Sequence, residues 1–184
     1  MKLLSLLLLI TGIWSCKRGN TNVVPKDKKW KNQLDSIMPS LGHRNWVLIV
    51  DSAYPLQNSA GMEYINSNED LLPVLKYALS AIRGSGHIRP VVFTDEELGY
   101  ITTRQVPELT GFLAMKTKIL ERQKVQTILH DSVFKKLDTE AKLFKVLVIK
   151  TNEKIPYSSV FLQLDCAYWD AKNEKEMRDR IGGK

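Results

Sequence analysis

The residues best suited to chemistry in this 184-residue chain flank one short apolar run. His43 stands just before the run at residues 46–50 (WVLIV), and Asp51 follows it directly. A histidine titrates near neutral pH, and a carboxylate can fix its tautomer and stabilise its cation. We therefore expect His43 and Asp51 to form a proton-transfer pair, in which His43 works as general acid and base.

Two later segments carry further candidates. His130 follows an apolar run at residues 125–129 and precedes a helical pattern, and Tyr157 and Ser159 lead into the apolar run 160–166. Each has a structural alternative. The region around His130 could be a helix start capped by the next residues, Asp131 or Ser132, and Tyr157 could be a half-buried packing residue. The third histidine, His87, lies in a glycine-serine loop with no partner in sequence, which favours a structural role.

The N-terminus is typical of an exported protein. A charged start and an apolar run at residues 3–10 lead to a small residue before Cys16, so we expect a signal peptide over residues 1–15. The run is shorter than the ~20 apolar residues of a membrane-spanning helix. The Ser15-Cys16 junction resembles a bacterial lipobox, which implies lipidation of Cys16 and attachment to the cell envelope, on the periplasmic or outer-membrane side. A plainly secreted protein and an uncleaved anchor are the alternatives.

Cysteine count and charge exclude several classes. Lipidation of Cys16 would leave Cys166 as the one free thiol, so neither an internal disulfide nor a cysteine-based zinc site is possible. The net charge is +7, with basic residues concentrated at 17–18 and 26–31, beside the expected anchor. Such residues favour an anionic membrane surface. We do not expect nucleic-acid binding, because the chain is exported and shows no interleaving of aromatic and basic residues.

Apolar periodicity predicts one α/β domain over residues 34–169. A polar tether at 16–33 precedes the domain, and a charged, solvated helical tail at 170–184 follows it. Within the domain, residues 53–69 are expected to form a long loop. The predicted helices are 30–38, 70–82, 107–122 and 132–142, and the predicted strands are 46–50, 90–94, 125–129, 144–149 and 160–166.

Alternating strands and helices indicate a three-layer α/β/α sandwich, with helices on both faces of one sheet. Ligands of such sheets bind at the carboxyl ends of strands. Asp51, Asp95 and His130 each follow an apolar run directly, so we expect them at that end.

Three segments together resemble the RbsD/FucU family of sugar mutarotases, the ribose pyranase and fucose mutarotase group. The residues Leu41-Gly42-His43 with Asp51 and Pro55 resemble the family's LGH-x7-D-x3-P opening. Residues 127–135 (TILHDSVFK) resemble its second histidine segment, and residues 156–162 (PYSSVFL) resemble its PYANIIL strand. The resemblance covers residues 34–168, nearly the whole predicted domain.

The resemblance implies a role for each matching residue. His43 would transfer the proton, Asp51 would support it, and His130 and Tyr157 would contact the sugar. Ser159 stands where the family has asparagine. The resemblance also implies a cofactor-independent isomerase, with no metal, that acts on a free monosaccharide and assembles into homo-oligomeric rings, typically decamers, with sites near subunit interfaces.

The expected function is therefore that of a lipid-anchored mutarotase or pyranase, which interconverts the anomers or ring forms of a free sugar. Two alternatives stay open: a non-catalytic sugar-binding lipoprotein of the same fold, and an envelope scaffold whose site has been lost. The serine at position 159 and the envelope location motivate the first of these alternatives.

Overall fold

The computed structural model describes residues 26–183. The predicted signal peptide and Cys16 lie outside this range, so their expected roles stay predictions. Within this range, five α-helices and two short 3-10 helices surround one sheet. The α-helices are α1 (Lys26–Ile37), α2 (Leu71–Ser85), α3 (Leu109–Leu120), α4 (His130–Glu140) and α5 (Ala171–Gly182). The 3-10 helices are Met38–Ser40 and Glu96–Tyr100.

The six strands of the described residues form a single mixed sheet in the order β2-β5-β1-β6-β3-β4. All neighbouring strands run parallel except at β6, which is antiparallel to both β1 and β3. The strands are β1 (Trp46–Val50), β2 (Met62–Asn66), β3 (Ile88–Asp95), β4 (Val125–Ile128), β5 (Val146–Lys150) and β6 (Val160–Cys166).

The two faces of the sheet bury separate apolar clusters. Side chains alternate along a strand, so Val47 and Ile49 of β1 point into a cluster shared with α1, α2 and α3. Trp46 and Leu48 point into the other cluster, which includes Val133 and Leu137 of α4. Because β1 is covered on both faces, all five of its residues are buried, which explains its continuous apolar run. The predicted three-layer α/β class is confirmed.

The folded unit begins earlier than the sequence predicts. Helix α1 starts at Lys26, and its Trp30 and Leu34 are 1% and 0% exposed in the core. The Trp30 indole N–H also donates to Glu69 at 2.8 Å. The predicted boundary at residue 34 is therefore too late, because the polar residues 29 and 31–33 lie on the solvent side of a helix whose tryptophan is buried.

Strand β2 was not predicted, since residues 53–69 read as a loop. It is an edge strand of five residues, of which only Ile65 is buried, so its pattern is weak. Gly61, directly before β2, lets the chain come close to Ala141 at the end of α4. A Cβ at position 61 would meet the Ala141 carbonyl oxygen at 2.2 Å. The Gly61 N–H donates to that same carbonyl.

The C-terminal helix α5, which lies within the predicted charged tail, buries no residue. Its charged side chains pair along its own surface, as in Lys175 with Asp179 at 2.6 Å. Between residues 26 and 183, no helix has the length and apolar character needed to cross a membrane.

The direction of β6 decides which residues can meet. Strands β1, β3 and β4 end where β6 begins, and this end of the sheet is called the site end below. The opposite end, where β1 and β3 begin and β6 finishes, is called the His43 end. Asp51, Asp95, His130 and Ser159 all belong to the site end.

Candidate functional site

Asp51 and Ser159 bind each other at the site end. The Ser159 hydroxyl donates to Asp51 Oδ2 at 3.1 Å and accepts from the Asp51 backbone N–H at 3.2 Å. The Ala53 N–H donates to the other carboxylate oxygen at 2.9 Å. Ser159 is 0% exposed, whereas Asp51 is partly exposed. In this arrangement Ser159 orients Asp51, and the carboxylate faces the site.

His130 forms the second polar element of the site. Its Nδ1 lies 3.1 Å from Oδ1 of Asp95, whose side chain is fully buried at the end of β3. Both carboxylate oxygens of Glu97 accept from the His130 backbone N–H, at 3.0 and 3.1 Å. Because a carboxylate accepts hydrogen bonds, Asp95 fixes the proton on Nδ1 and leaves Nε2 available.

The Glu97 contact also settles the cap of α4. The helix starts at His130 itself, and its first N–H is bound by Glu97 from another part of the chain. The alternative in which Asp131 or Ser132 caps the helix is therefore wrong, whereas a role of His130 toward a ligand stays a prediction.

Aromatic rings enclose His130. Phe134 and Tyr157 both meet its imidazole edge to face, with centroids 4.8 and 5.2 Å away. Tyr54 stacks on Phe134 at 5.5 Å. Burial raises the pKa of Tyr54 above its ordinary value, and nearby acidic groups that include Asp95 and Asp51 raise it further. Both carboxylates thus lie close enough to Tyr54 for their charges to act on it.

A buried lysine supports the loop that carries Tyr157. Lys116 of α3 is 4% exposed and donates from Nζ to the Ser158 carbonyl at 3.0 Å. Tyr157 has a φ of 56°, a left-handed conformation that is costly for a residue with a side chain. Burial lowers the pKa of Lys116 to about 8. The hydrogen bond of this buried amine helps to hold the unusual backbone at Tyr157.

Asp95 is the most perturbed acid of the site. Burial raises its pKa to about 6, against the opposing effects of the His130 hydrogen bond and charge. A carboxylic acid whose pKa lies this close to neutrality, in contact with an imidazole, is suited to proton transfer in the physiological range.

His43 lies at the other end of the sheet. Its Nδ1 is 3.1 Å from Oδ1 of Asp165, near the end of β6, and its side chain is 57% exposed. Strand β1, which separates His43 from Asp51, has five residues and is therefore about 16 Å long. The expected pairing of these two residues within one chain is wrong, because they stand at opposite ends of that strand.

The structure thus brings together Asp51, His130, Tyr157 and Ser159 from the sequence prediction and separates His43 from them. Their roles toward a sugar stay predictions. Sequence reasoning placed Asp95 at this end of the sheet but did not pair it with His130, and it missed Lys116 and Asp165. The position of Asp95 directly after an apolar run was a usable signal, whereas Asp165 lies inside a strand and gave none.

The remaining histidine is structural, as expected. His87 places one ring nitrogen 3.1 Å from the Ser85 carbonyl and the other 2.8 Å from the Leu41 carbonyl. Within residues 26–183, no cluster of three or more histidine, cysteine, aspartate or glutamate side chains is arranged to hold a metal ion.

Several solved structures resemble the fold. FucU from Bifidobacterium longum is 14% identical, with a TM-score of 0.50, and the match covers 73% of this chain and 94% of that one. Bacillus subtilis RbsD complexed with D-ribose is 21% identical over 72% of this chain and 91% of its own, with a TM-score of 0.49. The fucose mutarotase of Streptococcus pneumoniae in complex with L-fucose is 12% identical, over 71% of this chain and 89% of its own, with a TM-score of 0.47.

No curated protein sequence matches the chain. Residues 26–166 match the RbsD / FucU transport protein family, and this range contains the whole sheet, the residues of the site end and His43. The match starts at the first residue of α1 and stops at the last residue of β6. The chain therefore belongs to the RbsD / FucU family.

Proposed function

We propose that this protein is a monosaccharide mutarotase or pyranase, which interconverts the anomers or ring forms of a free sugar by acid–base catalysis. Family membership supports a sugar-binding or mutarotase function in general. The observation that carries the finer proposal is the convergence of Asp51, the His130–Asp95 pair and Tyr157 at the site end. These groups combine hydrogen-bonding partners for sugar hydroxyls with an aromatic surface for the ring.

The reaction requires two proton transfers. A base removes the proton of the anomeric hydroxyl while an acid protonates the ring oxygen, and the bond between that oxygen and the anomeric carbon breaks. The open-chain aldehyde that results rotates and closes on its other face, with both protons returned. General acid–base catalysis contributes about 10²–10⁴-fold to a rate, which suits a reaction that already proceeds unaided.

His43 takes part in this reaction only through a second copy of the chain, since it is remote from Asp51 in its own. We assign the site to an interface, where the site end of one copy receives His43 from its neighbour. Such head-to-tail contacts use two different surfaces and close into rings. His130 and Tyr157 would hold the sugar, and the neighbour's His43 would exchange the proton.

Exposed apolar side chains at both ends of the sheet support such association. Leu56 and Leu129 are 74% and 53% exposed near the site end. Tyr168 and Trp169 are 78% and 43% exposed directly after β6, at the His43 end. Large apolar side chains on two opposite surfaces fit a head-to-tail contact.

We further propose that the protein acts in the bacterial cell envelope through a lipid on Cys16. The support comes from the sequence, in which an apolar run, a small residue and a cysteine are followed by basic residues. Acyl labelling of the full chain in cells, with Cys16→Ala as the control, tests it. Equal labelling of both proteins, or no labelling of either, would contradict the anchor.

Saturation-transfer NMR of the full-length protein with ribose, fucose and other free sugars tests the activity. We expect anomer exchange to accelerate on at least one sugar and to return to the uncatalysed rate in His43→Ala. Exchange that is no faster with protein than without it, on every sugar tried, would contradict the proposal.

A sugar-binding protein without turnover is the second candidate, and Ser159 favours it. Its hydroxyl is buried and occupied by Asp51, so it does not face the site as a longer amide side chain could. Calorimetry that finds saturable sugar binding without faster exchange would select this candidate.

A further inference from the structure

The carboxylate partner of His43 is Asp165, a residue to which the sequence assigned no role. We propose that Asp165, held by Arg89, is the positioning residue that fixes the tautomer and orientation of His43 for proton transfer. This inference rests on the proposed mutarotase function for its kinetic consequence, but the pairing itself is testable without any sugar.

The two oxygens of Asp165 have separate partners. Oδ1 lies 3.1 Å from His43 Nδ1, and Oδ2 accepts from Arg89 Nε at 3.0 Å and from its terminal nitrogen at 2.7 Å. Partial burial pushes the pKa of Asp165 up, but hydrogen bonds from Arg89 and from the Cys166 backbone outweigh it, and the pKa lies below its ordinary value. The group therefore stays a carboxylate at neutral pH and offers only acceptors.

The tautomer follows from this geometry. A carboxylate cannot donate, so the neutral imidazole of His43 must carry its proton on Nδ1. The lone pair then resides on Nε2, which points away from Asp165 across the ring. His43 is half-exposed, so this lone pair can reach a sugar bound to a neighbouring copy. It is the base that removes the proton of the sugar hydroxyl.

Backbone hydrogen bonds beside His43 and Asp165 hold the two residues next to each other. The Arg44 N–H donates to the Leu164 carbonyl at 2.9 Å, and the Leu164 N–H donates to the Asn45 carbonyl at 2.8 Å. These bonds join the residues next to His43 to the residue next to Asp165. Arg44 adopts a φ of 72° to allow the turn, a conformation that such ties must maintain.

Other carboxylates are already engaged. Asp51 is at the site end and binds Ser159 and Ala53. Glu174 of α5 is close enough to His43 for an electrostatic interaction. Its carboxylate, however, accepts hydrogen bonds from the Trp169 indole at 2.8 Å and from Arg178 at 2.6 Å. Asp165 is therefore the carboxylate that pairs with His43.

The first experiment measures the tautomer on the protein alone. Long-range ¹H–¹⁵N NMR of the uniformly labelled full-length chain distinguishes a protonated ring nitrogen from an unprotonated one, and three histidine variants assign the three rings. We expect His43 to be the Nδ1–H tautomer in the wild type and to shift toward Nε2–H in Asp165→Ala. Asp179→Asn, on the exposed face of α5, is the control and should leave the His43 signals unchanged.

The second experiment measures anomer exchange. Asp165→Ala should lower kcat by about tenfold or more with KM within about twofold, because orientation is lost while sugar contacts at the site end remain. Asp165→Asn, which keeps a neutral acceptor, should recover part of the loss. Arg89→Gln should give an intermediate loss, since it loosens the carboxylate without removing it.

The outcomes distinguish the pairing of Asp165 with His43 from its effect on the reaction. An unchanged His43 tautomer in Asp165→Ala overturns the pairing, whatever the activity. A changed tautomer with unchanged kcat overturns the positioning role. If the wild type accelerates no sugar, the proposed function fails, whereas the tautomer measurement still decides whether Asp165 holds His43.

Discussion

Oδ1 of Asp95 lies 3.1 Å from Nδ1 of His130, and the carboxylate that makes this contact is entirely buried. Its second oxygen, Oδ2, has no hydrogen-bond partner within residues 26–183. A buried carboxylate with a free oxygen is costly in its charged form, which is why burial raises the pKa of Asp95 to about 6. The site thus keeps an acid with unused hydrogen-bonding capacity next to its histidine.

The raised pKa predicts a pH dependence of stability. Between its ordinary value of 3.8 and about 6, Asp95 holds more protons in the folded state than in the unfolded state. Its contribution to the free energy of unfolding therefore falls as pH rises through this range, and is constant above it. In Asp95→Asn this contribution is absent, so the variant should gain stability relative to the wild type from pH 4 to about pH 6.5.

Urea unfolding of both proteins at several pH values checks this prediction. Glu96→Gln is the matched control, because it removes an acid from the next position of the same segment. A difference between wild type and Asp95→Asn that does not vary with pH would show that Asp95 titrates as an ordinary exposed acid.

The separation of His43 from Asp51 predicts complementation between two inactive variants. In a head-to-tail ring, a site takes Asp51 from one copy and His43 from the next. His43→Ala and Asp51→Asn should each be inactive alone. Mixed at equal amounts and allowed to exchange subunits, about one quarter of the sites would combine both wild-type residues, so about a quarter of the wild-type rate should return.

Anomer exchange before and after subunit mixing measures this effect, and analytical ultracentrifugation establishes that hybrids can form. The double variant, mixed with itself, is the control and should stay inactive. A site contained within one chain would give no recovery, because every copy would then carry one of the two lesions.

Ser159 and Ser158 form a matched pair for testing how Asp51 is held. Both are 0% exposed, but the Ser159 hydroxyl binds Asp51 twice, whereas the Ser158 hydroxyl has no partner among the described residues. Ser159→Ala should lower the free energy of unfolding by about 1–2 kcal/mol. Ser158→Ala should leave it unchanged or raise it slightly, since a buried unsatisfied group is removed. Equal losses in the two variants, measured by urea unfolding, would contradict the assigned role of Ser159.

The shared location of Asp51 and His130 was predictable from the sequence. Asp51 and His130 follow apolar runs directly, and carboxyl ends of parallel strands meet at one end of a sheet. Tyr157 precedes its strand instead, and it reaches the same end because β6 runs antiparallel to its neighbours. No periodicity encodes that direction, so the sequence left the position of Tyr157 to the family resemblance.

The partners of the histidines could not be predicted for a related reason. His43 and Asp51 are eight positions apart, and closeness in sequence suggested a pair, but an extended strand carries its two ends apart. His43 instead meets Asp165, 122 positions away, through the antiparallel pairing of β1 with β6. Contacts of this kind depend on strand order and direction, which are tertiary properties.

His87 supplies a last prediction, since it ties the start of β3 to the loop that carries His43. Its two ring nitrogens face two carbonyl oxygens, those of Ser85 and Leu41, so only the protonated imidazole can donate to both. These backbone hydrogen bonds raise the pKa of His87 above its ordinary 6.5.

Because the pKa of His87 is higher in the folded state, its protonation stabilises the fold. This stabilisation is complete below the unfolded-state pKa and is lost as pH rises through the folded-state pKa. His87→Ala should therefore lose more stability, relative to the wild type, at about pH 5.5 than at about pH 8.5. Urea unfolding at the two pH values measures the difference, with His43→Ala as a control for general histidine titration. A loss that is equal at both pH values would contradict the prediction, because protonation of the ring would then add nothing to these contacts.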